Sequence, residues 1–442
     1  MLSKEQAYQI IDTVLKHTQG YDTRVQVSSN VVALTRFANS EIHQNVWEDR
    51  TSVSITITEG KRRSDVRTEL IDAAGLKTAA EEAISNLKLL PEGQEQPPLV
   101  SEPEVMESDA FCPDLEQEFG TFNRARLLNE CLEMLAPEYM AYGALTYSAT
   151  QMALGNSKGI KRSIRSNSAR FSALISDAEG GTGYTQASAH RAGDLDVVAS
   201  FRTAYNKAQM NRNPIQIEPG AYTVILEPMA VATLLRYVAS GFSGKMVMDR
   251  ASFLTGKMGE QVFSEKLTMI DDHTHPSTQS LPFDFEGTPR QKVVLVEKGV
   301  PKGLVYDLAS ATRAGVESTG HSMGWPGRGG MPMHLIVEPG EQTLEEIIKN
   351  TDDAILVSRF HYMNPLNRRQ AILTALTRDG VFHVKNGEIV AAVNNMRFTE
   401  SMLLALKNIE AISSDRQAIG NSYVPALKIK NFHFTGKTTL DE

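Results

Sequence analysis

Between Asp271 and Pro289 the chain reads DDHTHPSTQSLPFDFEGTP, two histidines and four carboxylates in nineteen residues. His273 and His275 stand two apart, Asp271 and Asp272 precede them, and Asp284 and Glu286 follow. Imidazole nitrogen and carboxylate oxygen are the donors of a catalytic zinc, so His273, His275 and Asp284 form one candidate metal set. Residues two apart on an extended chain face the same side, and Pro276 keeps the segment out of a helix. An HxH pair followed by scattered acids is an unspecific pattern. The competing reading is a polar loop at the surface or at a subunit contact.

Two further stretches carry polar chemistry. GHSMGWPGRGGMPMH, Gly320 to His334, is a glycine-rich loop holding His321, Trp325, Arg328 and His334. A glycine nest can take an anion, yet the spacing is not that of a P-loop and no lysine follows. Such a loop either borders a functional cavity or lies at the surface. SRFHYMNPLNRR, Ser358 to Arg369, combines His361, Tyr362 and Arg368, residue types suited to substrate or partner contact. No Ser-His-Asp or Cys-His order is present. The two cysteines, Cys112 before Pro113 and Cys131 within a helix, are too few for a disulfide framework or a thiolate cluster and read as packing residues.

The elements that must position these groups belong to a globular chain of 442 residues, 41% hydrophobic and 22% charged, long enough for more than one core. The net charge is −8, and the basic clusters Lys61–Arg63, Lys161–Arg165 and Asn367–Arg369 are short, so direct nucleic-acid binding is not expected. No apolar run reaches the roughly 18 residues that span a bilayer. The opening MLSKEQAYQIIDTVLKHTQG spaces Ala7, Ile10, Ile11, Val14 and Leu15 as an amphipathic helix and not a signal peptide. A cytoplasmic protein is expected.

A proline- and acid-rich segment at about 90–108 reads as a linker. Before it the order is helix (about 3–17), strands, helix (about 70–88). After it comes a helix over DLEQEFGTFNRARLLNECLEML, strands over GALTYSATQMAL, KGIKRSIRS and ARFSALISDA, and a helix over DLDVVASFRTAYNKAQM. FANSEI (37–42) and LGNSKGI (154–160) place an Asn-Ser turn between strands in each half, so residues 1–210 read as a duplicated α+β unit. From about Ile215 strands dominate, with helices at Met229–Gly241, Leu344–Asn350 and Phe398–Ile412. The expected class is α+β: an N-terminal α+β domain, 1–214, of two similar halves, then a β-rich, barrel-like or folded-sheet domain, 215–442.

Within the second region SFLTGKMGE (252–260), DFEGTP (284–289), VEKGVPKGLVYDLASATRAGVESTGH (296–321) and VEPGEQTLEEII (337–348) resemble, in order, the TldD/PmbA family of metalloproteases, also labelled modulators of DNA gyrase. The resemblance implies a fold in which TldD-like subunits carry an H-E-x-x-x-H helix just before SFLTGKMGE, with a late cysteine completing a zinc site. Counted back without gaps, Leu235 stands at the first histidine, Arg236 at the glutamate and Ser240 at the second histidine, and no cysteine follows Cys131. That pattern resembles the PmbA (TldE) type, which has no zinc motif and pairs with a TldD-like subunit. The implied activity is proteolysis or maturation of unfolded peptides, with zinc expected only in the partner. A homodimer or a heterodimer is expected, with Trp325, Met331, Met333, Phe360, Tyr362 and Met363 as surface apolar residues. The alternatives are a self-sufficient peptidase built on His273, His275 and Asp284, and a gyrase-associated regulator.

Overall fold

A computed structural model describes residues 1–93, 96–101, 106–325 and 327–437. Residues 94, 95 and 102–105 of the expected linker and Pro326 of the glycine-rich loop lie outside the described residues.

Helix α1 (Lys4–His17) starts at a capping box between Ser3 and Gln6 and buries Ala7, Ile10, Ile11 and Val14. Strands β1 (Asp22–Ala38), β2 (Glu41–Glu59) and β3 (Arg62–Thr68) form an antiparallel meander, closed by α2 (Ala73–Leu89). The order returns after β4 (Met106–Ala110): α3 (Pro113–Glu118), α4 (Thr121–Glu133), β5 (Tyr139–Asn156), β6 (Lys161–Asp177), β7 (Thr182–Ala189) and α5 (Val197–Met210). The sheet runs β3-β2-β1-β5-β6-β4, with β7 also on β6. Odd-numbered residues of β1 and β5, such as Val25, Val27, Ala33, Phe37, Leu145 and Tyr147, face the helices, as the two-residue period requires. The opposite face carries even-numbered residues such as Arg24.

The two Asn-Ser turns answer one another. Ser40 N donates to Ala141 O (3.0 Å) and Ala141 N to Ser40 Oγ (3.0 Å); Ser157 N donates to Thr23 O (2.8 Å) and Thr23 N to Ser157 Oγ (3.1 Å). Asn39 and Ser40 hold φ of 51° and 61°, a left-handed pair suited to a tight hairpin.

The helix expected over 114–135 is two helices. Phe119 turns into the core, and its carbonyl accepts from the buried guanidinium of Arg124 (Nη1, 2.7 Å) instead of continuing the helical ladder. Conversely KGIKRSIRS and ARFSALISDA are one strand, β6. Asn167 between them spends its side chain on Cys112 N and O (2.8 Å each) rather than on a turn.

The second sheet begins with β8 (Gly220–Leu226) and is covered by α6 (Pro228–Ala239), followed by α7 (Gly244–Met248), β9 (Met269–Asp271), β10 (Val293–Glu297), β11 (Val300–Pro301), α8 (Leu308–Ala314), β12 (Leu335–Val337) and α9 (Leu344–Lys349). It ends with β13 (Asp353–Asn367), β14 (Ile372–Lys385), β15 (Glu388–Ala392), β16 (Met396–Ser401), α10 (Met402–Lys407), β17 (Ile409–Ile419) and β18 (Ser422–Lys437). Strands β8, β13, β14, β16 and β18 close on one another through β18–β8 pairing, and β12-β9-β10-β11 extends from β18 as an arm. The α+β class holds, with the barrel-like character confined to five of eleven strands. Phe398–Ile412 is not one helix: Phe398 pairs with Ala375 and Phe434 in β16, and the helical spacing of Met402 and Leu406 covers only α10. Burial of Phe398 between strands overrides the local periodicity. The two sheets meet where Arg359 lies 4.1 Å from the Tyr184 ring centroid and Lys207 pairs with Glu227.

Candidate functional site

Helix α6 and its C-cap residue Ser240 carry the three positions aligned with a zinc motif. Leu235 is fully buried among Val231, Leu234 and Val238; Arg236 is exposed; Ser240 donates its hydroxyl to Tyr237 O (2.7 Å). An alkyl chain, a guanidinium and a committed hydroxyl do not fit zinc, which takes imidazole, thiolate or carboxylate. Cys131 is buried under the first sheet, where burial, then Glu130 and Asp196, push its thiol up to about 12. Among the described residues no three His, Cys, Asp or Glu side chains come together as a metal set.

The polar chemistry concentrates instead on the arm. Strands β9 and β12 pair antiparallel, with Asp271 opposite Leu335, and this brings the two loops after them together. The fully buried Asp271 accepts His321 Nε2 at Oδ1 (3.2 Å), and Met333 N (2.5 Å) and His334 N (3.0 Å) at Oδ2. Burial alone would raise its carboxyl; the His321 bond and the nearby cations outweigh it and hold it at about 2. His321 Nδ1 also lies 2.7 Å from Thr319 O, so the ring is held between the Asp271 carboxylate and a backbone carbonyl. His334 donates Nε2–H to Gln279 O (3.0 Å), and burial lowers it to about 4. Its Nδ1 lies 3.9 Å from Asp271 Oδ1 without a hydrogen bond. His273 donates Nε2–H to Arg290 O (3.1 Å) and is lowered by burial and by Arg290.

The DFEGT turn joins this cluster to the first sheet. Asp284, fully buried, accepts from Glu286 N (2.9 Å), Thr288 N (3.0 Å) and Ser322 N (2.9 Å); burial still raises it above its usual range. Glu286, half-buried, accepts from Leu308 N (3.0 Å), and burial followed by Asp284 raises it to about 7. Arg24 on the open face of the first sheet acts on it from across the junction. Gly287 has φ of 89°, and a Cβ there would lie 2.5 Å from Ile160 Cδ1, while its carbonyl accepts Arg162 Nε (3.2 Å). Only glycine allows this approach.

Of the residues marked by sequence, His321 and His334 are thus brought together on Asp271, but as fully buried groups and not as a cavity rim. Arg328 is exposed, 5.9 Å from the Trp325 ring centroid. His361 and Tyr362 are neighbours at a bulge of β13, ring centroids 4.3 Å apart, with Tyr362 72% exposed; the contacts of the described residues do not join them to the Asp271 cluster. His273, His275 and Asp284 are each engaged separately, His275 Nδ1 accepting Ser277 N (3.2 Å) beside the Tyr423 ring. Trp325 is 62% exposed, but Phe360 and Met363 are core residues at 5% and 7%, correcting their reading as surface groups. Sequence reasoning passed over Arg290, Gln279 and Arg24, which carry no local signal. Asp271 and Glu286 stood in the quoted stretch without a role.

Residues 219–436 match the PmbA/TldA metallopeptidase C-terminal domain. An uncharacterized protein of Methanocaldococcus jannaschii is 30% identical over 249 residues, 54% of this chain and 57% of its own length. A metalloprotease TldD homolog of Buchnera aphidicola is 28% identical over 224 residues, 48% of this chain and 45% of its own. The matches span about half the length of these curated relatives. The crystal structure of TldE from Thermococcus kodakarensis superposes with a TM-score of 0.83 at 20% identity, covering 98% of this chain and 100% of that one, a likeness of fold. No helix among the described residues is long and apolar enough to cross a membrane. With the matched phrases and the family domain together, residues 219–436 form a C-terminal domain of the TldD/PmbA family, on a chain that shares the TldE fold.

Proposed function

We propose that this chain is the PmbA (TldE)-type subunit of a peptide-degrading or peptide-maturing assembly, contributing architecture while a TldD-like partner holds the zinc. One observation carries the reading: α6 and its C-cap present Leu235, Arg236 and Ser240 where the chemistry needs His, Glu and His, and Leu235 is core. A glutamate on such a helix polarises the zinc-bound water; a solvent-facing arginine cannot. Residues 1–214 and 215–442 act as its two domains, and exposed Trp325, Arg328 and Tyr362 with half-buried His361 are assigned to substrate or partner contact. His321 and His334 are assigned to the scaffold. Absent its partner the chain pairs with itself, and light scattering reads that directly. In the cytoplasm its substrate is an unfolded peptide.

The test has two arms. Elemental analysis after dialysis is expected to find no stoichiometric zinc, and the purified chain is expected not to cleave casein fragments. Mixed with a TldD-like partner it is expected to form a chelator-sensitive protease. About one zinc per chain, or chelator-sensitive cleavage by the chain alone, overturns the proposal.

A further inference from the structure

The first sheet repeats itself, and the repeat leaves one place unfilled. With the Asn-Ser turns superposed and Ile42 set on Ile160, β2 corresponds to β6. Strand β3 pairs with residues 53–59 of β2, as β7 pairs with residues 169–176 of β6. The first half of β6 is covered as well: β4 lies parallel on residues 162–166, with Asp109 opposite Arg165. The corresponding stretch of β2 is 44–48. Among the described residues no strand pairs with 41–52 on the side away from β1. Which groups this edge offers follows from the alternation along β1. Thr23 directs its N–H and C=O to Ser157 on the β5 side, so odd-numbered residues of β1 bond β5 and even-numbered ones bond β2. Their partners Gln44, Val46 and Glu48 bond back to β1, leaving the N–H and C=O of His43, Asn45 and Trp47 directed outward. An open edge of this kind is a template for a further strand.

The side chains say which strand fits. In the filled seat β6 supplies the cations Lys161, Arg162 and Arg165, and β4 brings Glu107 and Asp109; the Arg165 guanidinium sits 3.8 Å from the Phe111 ring centroid just past β4. In the empty seat the signs are exchanged. Residues 41–49 include Glu41, Glu48 and Asp49 and no lysine or arginine, and Trp47, 54% exposed, stands where β6 has Arg165. The Met1 amine already occupies Asp49 (2.5 Å), which leaves Glu41 and Glu48. Arg50 lies 3.4 Å from Glu48 in an exposed pair that gives way at little cost. We propose that residues 44–48 of β2 are a strand-addition seat for a basic extended segment of an unfolded peptide, lying parallel to β2 as β4 lies on β6. One cation of the peptide stacks on the Trp47 ring, and its neighbour, on the other face of the added strand, meets Glu48. The seat rests on the peptide-handling role proposed above, which zinc content and cleavage test; the binding measured below requires neither.

The probe is a blocked hexapeptide, Thr-Val-Arg-Arg-Val-Thr, titrated against the full chain at low salt and followed by anisotropy of a terminal dye. One control replaces both arginines by glutamate. The other replaces both valines by proline, which keeps the charge and removes the strand's N–H groups, so that simple attraction to a chain of net charge −8 is told apart from strand addition. The arginine peptide is expected to bind at least about tenfold more tightly than either control. Trp47→Thr is expected to weaken it about two- to fivefold, and Glu48→Lys about fivefold; both positions are exposed and both replacements suit a folded edge strand. The chain has two tryptophans, Trp47 and Trp325, so the change in emission on adding unlabelled peptide is expected to vanish in Trp47→Thr. No saturable binding, equal affinity for the three peptides, an emission change that survives Trp47→Thr, or unchanged affinity in Glu48→Lys overturns the proposal. A dimer by light scattering that Trp47→Thr dissolves, with no peptide bound, overturns it too and assigns the edge to a second copy of the chain.

Discussion

Replacing Glu286 by Gln is expected to make the protein more stable, and increasingly so as the pH rises. Its carboxyl is raised from 4.5 to about 7, first by burial and then by Asp284. A raised acid favours the folded state only while protonated, so its contribution is fully present below pH 4.5 and is lost as the pH climbs through 7. A shift of roughly 2.5 units corresponds to about 3 kcal/mol once both states are ionised, since one unit is about 1.4 kcal/mol. At pH 5 less than ~1 kcal/mol of that has developed; by pH 8 nearly all has. Glutamine keeps an oxygen for Leu308 N, and because residue 286 is only half-buried its new N–H₂ group can be hydrated. The assay compares chemical-denaturation midpoints of Glu286→Gln and the parent at pH 5, 6, 7 and 8. The gap should open from near zero to about 2–3 kcal/mol in favour of the variant. A gap that stays flat, closes with rising pH, or favours the parent at pH 8 refutes the idea that Glu286 is held under electrostatic stress by Asp284 and burial.

The same cluster should show the opposite limb. His334 is lowered from 6.5 to about 4 by burial, so its contribution is present above pH 6.5 and falls by about 3 kcal/mol as the pH drops to 4; His334→Gln, which cannot take a proton, should flatten that loss in denaturant titrations. Leu235→Ala on α6 should cost about 2–5 kcal/mol, as expected of a core leucine and not of a metal-site position, read as a lower urea midpoint at unchanged slope. Gly287→Ala should cost about 2 kcal/mol or more, because it meets both a left-handed backbone and Ile160 at 2.5 Å; an unchanged melting curve would mean the DFEGT turn is not clamped to the first sheet.

Periodicity alone was enough for most elements. The 3.6-residue spacing of Ala7, Ile10, Ile11 and Val14 and the alternation of Val53, Ile55 and Ile57 are local properties, and α1 and β2 follow them. The types at positions 235, 236 and 240 likewise needed no coordinates to show that zinc ligands are missing there. Elements failed where a side chain claimed a backbone carbonyl or where burial between strands claimed a ring. Arg124 took the Phe119 carbonyl and split a helix, and burial of Phe398 between two strands removed another.

The site was legible in its composition and not in its geometry. The stretch 271–289 announced itself by two histidines and four acids, but spacing left open both a metal set of His273, His275 and Asp284 and a polar loop, and in the fold each of the three has separate partners. What gathers around Asp271 comes from residues fifty and more positions away, His321, Met333 and His334, delivered by the pairing of β9 with β12. Nor could spacing reveal that Asp271 is held near 2 while Glu286, fifteen residues on, is raised to about 7. A side chain's type is written in the chain, whereas its charge state depends on water excluded and partners supplied by segments that only the folded structure brings within reach.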